Sequence, residues 1–125
     1  MDSILEIAQR HNSIVIKDNA HGLFGTWNGR KLASIGNMAT QSSHETNNIT
    51  CGEDGALAIN NSRFSERAEM LPEKGTNWAN FFRGEVDKYT RVDKGSSYLM
   101  SDILAACLFT QLSKNSEIQK KCKII

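Results

Sequence analysis

Residues 13–18 read SIVIKD, and the unbroken β-branched run Ile14, Val15, Ile16 narrows the folds open to this chain more than any other feature. Stiff, branched, apolar side chains on consecutive positions suit a strand covered on both faces, because successive residues point to opposite sides of a sheet. Just upstream, Ile4, Leu5, Ile7 and Ala8 recur at helical spacing, and Asp2 or Ser3 can cap the turn before them. A helix that feeds so quickly into a doubly buried strand implies an α/β domain with a mainly parallel sheet. At 125 residues the chain has the usual size of one domain.

The remaining pattern is consistent with that class. Asn28-Gly29 is a two-residue hairpin signal. MATQSS (38–43) and ALAIN (56–60) read as strands. Ser62 opens a helix in which Phe64, Ala68 and Leu71 share a face, and Pro72 should stop it, since proline brings no amide donor and clashes with the preceding turn. The aromatic, charged and glycine-dotted segment 77–98 reads as a long loop, a kind of segment that tends to be functional. Ser101 caps the apolar helix SDILAACLFTQL, and the last ten residues are polar without a defined stop.

Composition excludes several classes of function. A formal net charge of +1 offers no electrostatic footprint for nucleic acid or an anionic membrane. The basic cluster Lys120–Lys123 is short enough to be a solvated surface. Cys51, Cys107 and Cys122 are odd in number and contain no CxxC pair, which speaks against a disulfide framework or zinc ribbon. His11, His21 and His44 lack metal-ligand spacing, so no metal is expected. With no long apolar run and no leader pattern, the expected location is cytoplasmic.

Two places carry candidate chemistry. Asp18 sits where the buried strand should end, and ligands of open α/β sheets collect outside the carboxyl ends of the strands. A carboxylate there can hold a protonated ring nitrogen or a metal, although an aspartate before Asn19 equally suits a turn. His21, three residues on, could reach the same ligand or be a structural histidine. The loop QSSHETNNITCGEDG (41–55) is dense in hydroxyls, amides and glycines, which suits a phosphate, and also suits a plain polar turn.

Together the segments KDNAHGLFG, GNMATQSSHETNNITCGEDGALAINN, ERAEMLPEKGTN, FFRGEVDKYTRVD and GSSYLMSDILAACLFTQL resemble the DegT/DnrJ/EryC1/StrS sugar aminotransferases, and among these the dTDP-4-amino-4,6-dideoxygalactose transaminase group. The resemblance covers nearly the whole chain. It implies an aspartate-aminotransferase-like (fold type I) large domain that binds pyridoxal 5′-phosphate (PLP), acts on a nucleotide sugar in surface-polysaccharide synthesis, and pairs as a homodimer. By the same resemblance Asp18 would pair with the PLP ring nitrogen, His21 would pack beside the ring, and Ser42 would bind the phosphate. Lys88 and Tyr89 would lie in a loop that helps bind the sugar nucleotide.

The departures are as informative. Family members read close to SFHETKN where this chain has SSHETNN, so Asn47 occupies the position of the Schiff-base lysine. A carboxamide nitrogen is no nucleophile, because its lone pair is delocalised into the carbonyl, and it is no useful base near neutral pH. Neither Lys31 nor Lys74 is placed by sequence to replace it. Lys17, Ser43, Asp54, Pro72 and Arg91 also depart from the family pattern. The expectation is therefore the central part (1–125) of a PLP-binding large domain, without its N-terminal part and C-terminal small domain, in a truncated and inactive relative. Two alternatives stay open: a non-catalytic module that pairs with an intact paralogue, and one segment of a split gene.

Overall fold

The computed structural model describes residues 1–122, which form two compact units. One comprises residues 1–60 together with the helical segment from Met100, and the other comprises Asn61–Leu99.

The first unit opens with helix α1 (Asp2–Arg10). No side chain caps it, and Asp2 is its first residue rather than its cap. Strand β1 (Ile16–Asp18) pairs in parallel with β4 (Met38–Ser42), and β4 pairs antiparallel with β5 (Gly55–Ile59). The α/β class holds, and the sheet is mixed, in the order β1-β4-β5, rather than mainly parallel. Between β1 and β4 lies a hairpin of β2 (Thr26–Trp27) and β3 (Arg30–Lys31). Its turn residues Asn28 and Gly29 have φ of 48° and 77°, the type I′ geometry that the Asn-Gly pair favours.

Asn37 sets the start of the parallel pair. Its side-chain oxygen accepts from Val15 N at 2.8 Å, and its own N–H donates to Val15 O at 2.8 Å. Gly36 precedes it with φ +87°, and a Cβ there would lie 2.9 Å from Val15 O, so both conformation and space call for glycine.

The expected double burial of the Ile14–Ile16 run is not found. Ile14 is 47% exposed and Ile16 59% exposed. The physical reason is position: Ile14 and Ile16, two residues apart, share one face of the sheet, and that face is left open, while Val15 on the other face is half-buried. Ile4 and Ile7 of α1 are likewise more than half exposed. The buried apolar residues are Ile35, Ala39, Ile49 and Cys51, which lie along β4 and the segments flanking it.

Helix α4 (Asp102–Ser113) is capped by Ser101, whose hydroxyl accepts from Leu104 N at 3.4 Å. Gln111 on this helix accepts from Thr50 N at 3.0 Å and so ties α4 to the loop after β4. The polar C-terminal stretch also forms a helix, α5 (Asn115–Cys122), supported by a Glu117–Lys121 pair one turn apart. Lys123, the end of the basic cluster, lies outside the described residues.

The second unit begins with a 3-10 turn and α2 (Ser65–Met70), with the Asn61 side chain accepting from Arg63 N. The helix stops before Pro72 as expected. Segment 77–98 is not all loop, because Trp78–Phe82 forms a short helix, α3. Two glycines hold this unit together. A Cβ on Gly75 (φ +73°) would overlap Asp93 O, and a Cβ on Gly95 would overlap Gly75 N. The backbones there touch directly, with Gly75 O accepting from both Val92 N and Asp93 N. Arg83 then joins α3 to α2 through a two-pronged contact with Glu69 at 3.0 and 3.1 Å.

Cysteine accessibility checks this arrangement. Cys51 is 6% exposed, and burial pushes its thiol up, with Asp54 and Cys107 adding to the rise. Cys107 and Cys122 are exposed. In the native protein a thiol reagent should label those two quickly and Cys51 only after unfolding. Three equally fast thiols would contradict the packing of the loop after β4.

Candidate functional site

The parallel register sets Asp18 of β1 opposite Thr40 of β4. This places Asp18 at the carboxyl end of its strand, where a ligand can approach. Its Oδ1 accepts two hydrogen bonds, from Ala20 N at 3.0 Å and from Thr40 Oγ1 at 3.2 Å. Those two bonds hold the carboxyl below the usual aspartate range, and His21 and Lys17 contribute in the same direction against a small desolvation effect. Asp18 is thus a stable anion, and its Oδ2 accepts nothing among the described residues.

The chain turns directly after Asp18, with Gly22 N donating to Asn19 O at 2.9 Å. Asn19 is buried, and its Oδ1 accepts from Lys17 Nζ at 2.6 Å. The turn leaves His21 exposed and lining two clefts. One runs from Lys17 to Gly22 with Leu32. The other is formed by Ala20, His21, Leu23, Thr46, Asn47 and Asn48. His21 therefore connects the Asp18 region with the Asn47 region.

Ser42 ends β4, and its loop returns on itself. Ser43 N donates to Asp54 O at 2.8 Å, Cys51 N donates to Ser43 O at 3.0 Å, and Ile49 is fully buried beneath the loop. Within this frame the Ser42 hydroxyl accepts two bonds: His44 N at 3.2 Å and Asn47 Nδ2 at 3.0 Å. A hydroxyl has two acceptor sites and one proton. The hydroxyl thus sits between a backbone N–H and a carboxamide, a polar setting that suits an anion.

The His44 ring is not directed at Ser42. The His44 ring turns instead to Thr46 Oγ1 at 3.1 Å and Glu53 Oε1 at 3.3 Å, and only its backbone N–H reaches Ser42. Lys31 lies exposed in β3, and Lys74 belongs to the other unit, where its amine is 3.6 Å from Glu73. Among the described residues no cluster of His, Cys, Asp or Glu could hold a metal ion, and no helix is long and apolar enough to cross a membrane.

The structure thus brings Asp18, His21, Ser42 and Asn47 into one unit, linked pair by pair through shared clefts and hydrogen bonds. Lys88 and Tyr89 belong to the other unit. There Asn77, only 9% exposed, orders their segment: its Oδ1 accepts from Thr90 N at 2.7 Å, and its Nδ2 donates to Lys88 O at 3.1 Å. Tyr89 meets Trp78 edge-on, with ring centroids 5.4 Å apart. Sequence reasoning missed Thr40 and Asn77. Thr40 had a usable signal, since it is a hydroxyl within a strand whose partner ends in Asp18. Asn77 had none, because its bonds reach 11 and 13 residues along the chain.

The chain has clear relatives. The family model described as DegT/DnrJ/EryC1/StrS aminotransferase family matches residues 1–125. An uncharacterized protein of Methanocaldococcus jannaschii is 34% identical over 124 residues, covering 97% of this chain and 32% of that protein. The GDP-perosamine synthase of Caulobacter vibrioides is 33% identical over 117 residues, covering 94% of this chain and 30% of the synthase. Among solved structures, an aminotransferase from Psychrobacter cryohalolentis superposes with a TM-score of 0.79 at 25% identity, over 93% of this chain and 30% of that one. The chain spans about a third of the length of the curated relatives it matches.

Two outcomes check this geometry. By carbon-detected NMR, Asp18 should titrate below the ordinary aspartate value of about 3.9. Thr40→Val, which removes one of its donors, should move that midpoint upward; an unmoved midpoint would exclude the Thr40 bond. The sign for stability follows: a lowered folded value stabilises the fold above the unfolded value, and the contribution is lost as pH falls through the folded one. In the other unit, Asn77→Ala leaves two backbone groups unpaired at a cost of roughly 1–3 kcal/mol. Hydrogen exchange at Thr90 N should accelerate accordingly, and unchanged exchange would remove Asn77 from its ordering role.

Proposed function

This chain belongs to the DegT/DnrJ/EryC1/StrS aminotransferase family, and from that premise we propose that it is a relative of the nucleotide-sugar aminotransferases that has lost amino transfer. One observation carries the proposal. Asn47, at the position the family resemblance gives to the Schiff-base lysine, presents a carboxamide whose nitrogen donates to Ser42 Oγ at 3.0 Å. That nitrogen can neither attack a carbonyl carbon nor take a proton from a substrate carbon near neutral pH.

The residues around it fit the cofactor in two of three places. Asp18, ionised and with an open oxygen, suits the protonated ring nitrogen of PLP. Ser42, whose hydroxyl stands beside the His44 N–H, suits its phosphate, and His21 would lie beside the ring. The third place, the carbonyl carbon, finds no amine. Bound PLP supplies an electron sink to a substrate amine. Here the chain would bind and orient the group without a base to move the proton that such chemistry requires.

The ancestral reaction in this reading moves an amino group from glutamate onto a 4-keto-6-deoxy sugar nucleotide, with a dTDP-sugar as the expected substrate. The GDP-perosamine synthase among its relatives supports a nucleotide-sugar substrate class. Lys88 and Tyr89, in the segment ordered by Asn77, are the proposed sugar-nucleotide contacts. A second reading, a non-catalytic module that pairs with an intact paralogue, is favoured by the exposed aromatic group Trp78, Phe81, Phe82 and Tyr89.

The decisive assay mixes the purified chain with PLP, glutamate and a dTDP-4-keto-6-deoxy sugar. No aminated sugar should form. Turnover above a protein-free control would overturn the proposal. For the second reading, a full-length homologue should co-elute with this chain on size exclusion, and separate elution would dismiss it.

A further inference from the structure

Two cysteines that lie far apart in the chain flank one seam of the first unit, where the loop after β4 rests on helix α4. Thr50 N donates to Gln111 Oε1 across that seam at 3.0 Å. Cys51 follows Thr50 directly, and Cys107 stands one helical turn before Gln111. Residues four apart on a helix lie one above the other, so Cys107 shares the helix face that holds the loop. Charge gives a second sign of closeness. Burial pushes the Cys51 thiol up first, Asp54 next and Cys107 after them. Such charge effects fall off with distance, which puts the Cys107 sulfur in the neighbourhood of Cys51. Both are free thiols, Cys51 buried and Cys107 exposed.

We infer that Cys51 and Cys107 are a reversible redox pair: a hydroperoxide oxidises the exposed thiol, and the buried thiol resolves it as a disulfide between the loop and α4. The inference stands apart from the proposed loss of amino transfer and uses none of its residues.

The steps balance. The Cys107 thiolate attacks one oxygen of hydrogen peroxide, the O–O bond breaks, hydroxide leaves and Cys107 becomes a sulfenic acid. The Cys51 sulfur then attacks the Cys107 sulfur. An S–S bond forms, the S–O bond breaks, and the departing hydroxide takes the Cys51 proton as water. The two thiols together lose two electrons, and one peroxide gains them.

Burial assigns the roles. Cys107 meets a dissolved oxidant, whereas Cys51 is only 6% exposed. Cys51 is held at the seam, because its N–H donates to Ser43 O at 3.0 Å and its Sγ lies 3.9 Å from the same oxygen. Its oxidation therefore has to pass through Cys107. The disulfide adds a covalent tie where the Thr50–Gln111 bond now holds the loop. That loop runs from Ser42 to Gly55 and carries Asn47, so oxidation stiffens the candidate site.

The test treats the reduced full chain with hydrogen peroxide and reads its intact mass and its non-reduced tryptic peptides. The chain should lose two hydrogens and stay monomeric. Peptides 32–63 and 95–114, which hold Cys51 and Cys107, should appear joined and should separate with dithiothreitol. Hydrogen exchange at Thr50 N should slow by about tenfold in the oxidised chain, as a tie that suppresses local opening would make it. Cys122→Ser should keep the joined peptides. Cys107→Ser, a change at an exposed position, should leave Cys51 a thiol under the same peroxide.

Added oxygen on Cys107 with Cys51 still reduced overturns the inference. A bridge from Cys107 to Cys122 or to a second copy of the chain overturns it as well, as does oxidation of Cys51 at an unchanged rate in Cys107→Ser.

Discussion

The parallel pairing of β1 with β4 is the constraint on which the site depends. Asp18 is useful only because its strand ends level with Thr40, and Thr40 holds it only in that register. A slip of one residue would turn every β1 side chain to the opposite face, and Asp18 with them. The register is set away from the site, by Asn37 clasping Val15 through both its side chain and its backbone. Glycine at 36 permits that clasp, since a larger residue would press on the Val15 carbonyl that Asn37 needs. The chemistry at one end of the strand pair thus depends on backbone geometry at the other end.

The same strand β4 carries the second half of the site. Ser42 ends it, and the loop to Gly55 folds back so that β5 can run antiparallel beside it. Burial of Ile49 and Cys51 and a bond from Thr50 to Gln111 of α4 hold the loop down. None of these contacts involves Asn47. The loop can therefore keep its shape whichever residue stands there, which separates the scaffold of the site from its chemistry.

Legibility in the sequence followed the range of the interactions. Signals contained within a few residues read correctly: Asn28-Gly29 as a turn, Ser101 as a cap, Pro72 as a stop, and the strands at 38–42 and 55–59. The position of Asp18 at a strand end was also legible, because a β-branched run ending in a carboxylate is local. Exposure was not. The Ile14–Ile16 run is patterned for a strand covered on both faces, and a local pattern cannot say whether a distant segment packs on each face. The helix Trp78–Phe82 was hidden by glycines and charges that belong to the loops around it, and α5 by a polar composition that its Glu117–Lys121 pair tolerates. Thr40, Asn77 and the Gly75–Gly95 contact act across distances in sequence that periodicity does not sample.

Position 47 separates what the packing of the loop needs from what covalent chemistry would need there. A lysine there would place a long flexible amine in the cleft, and nothing in the loop's own packing calls for one. Asparagine is shorter, and its carboxamide meets Ser42 Oγ at 3.0 Å. Asn47 therefore has a local partner, and the loop incurs no buried unpaired group at that residue. Asp18 is unaffected, because the groups that hold it ionised, Ala20 N and Thr40 Oγ1, lie on the other branch of the site. Contacts that could hold a ligand are distributed over several such bonds, whereas covalent chemistry rests on a single nucleophilic atom.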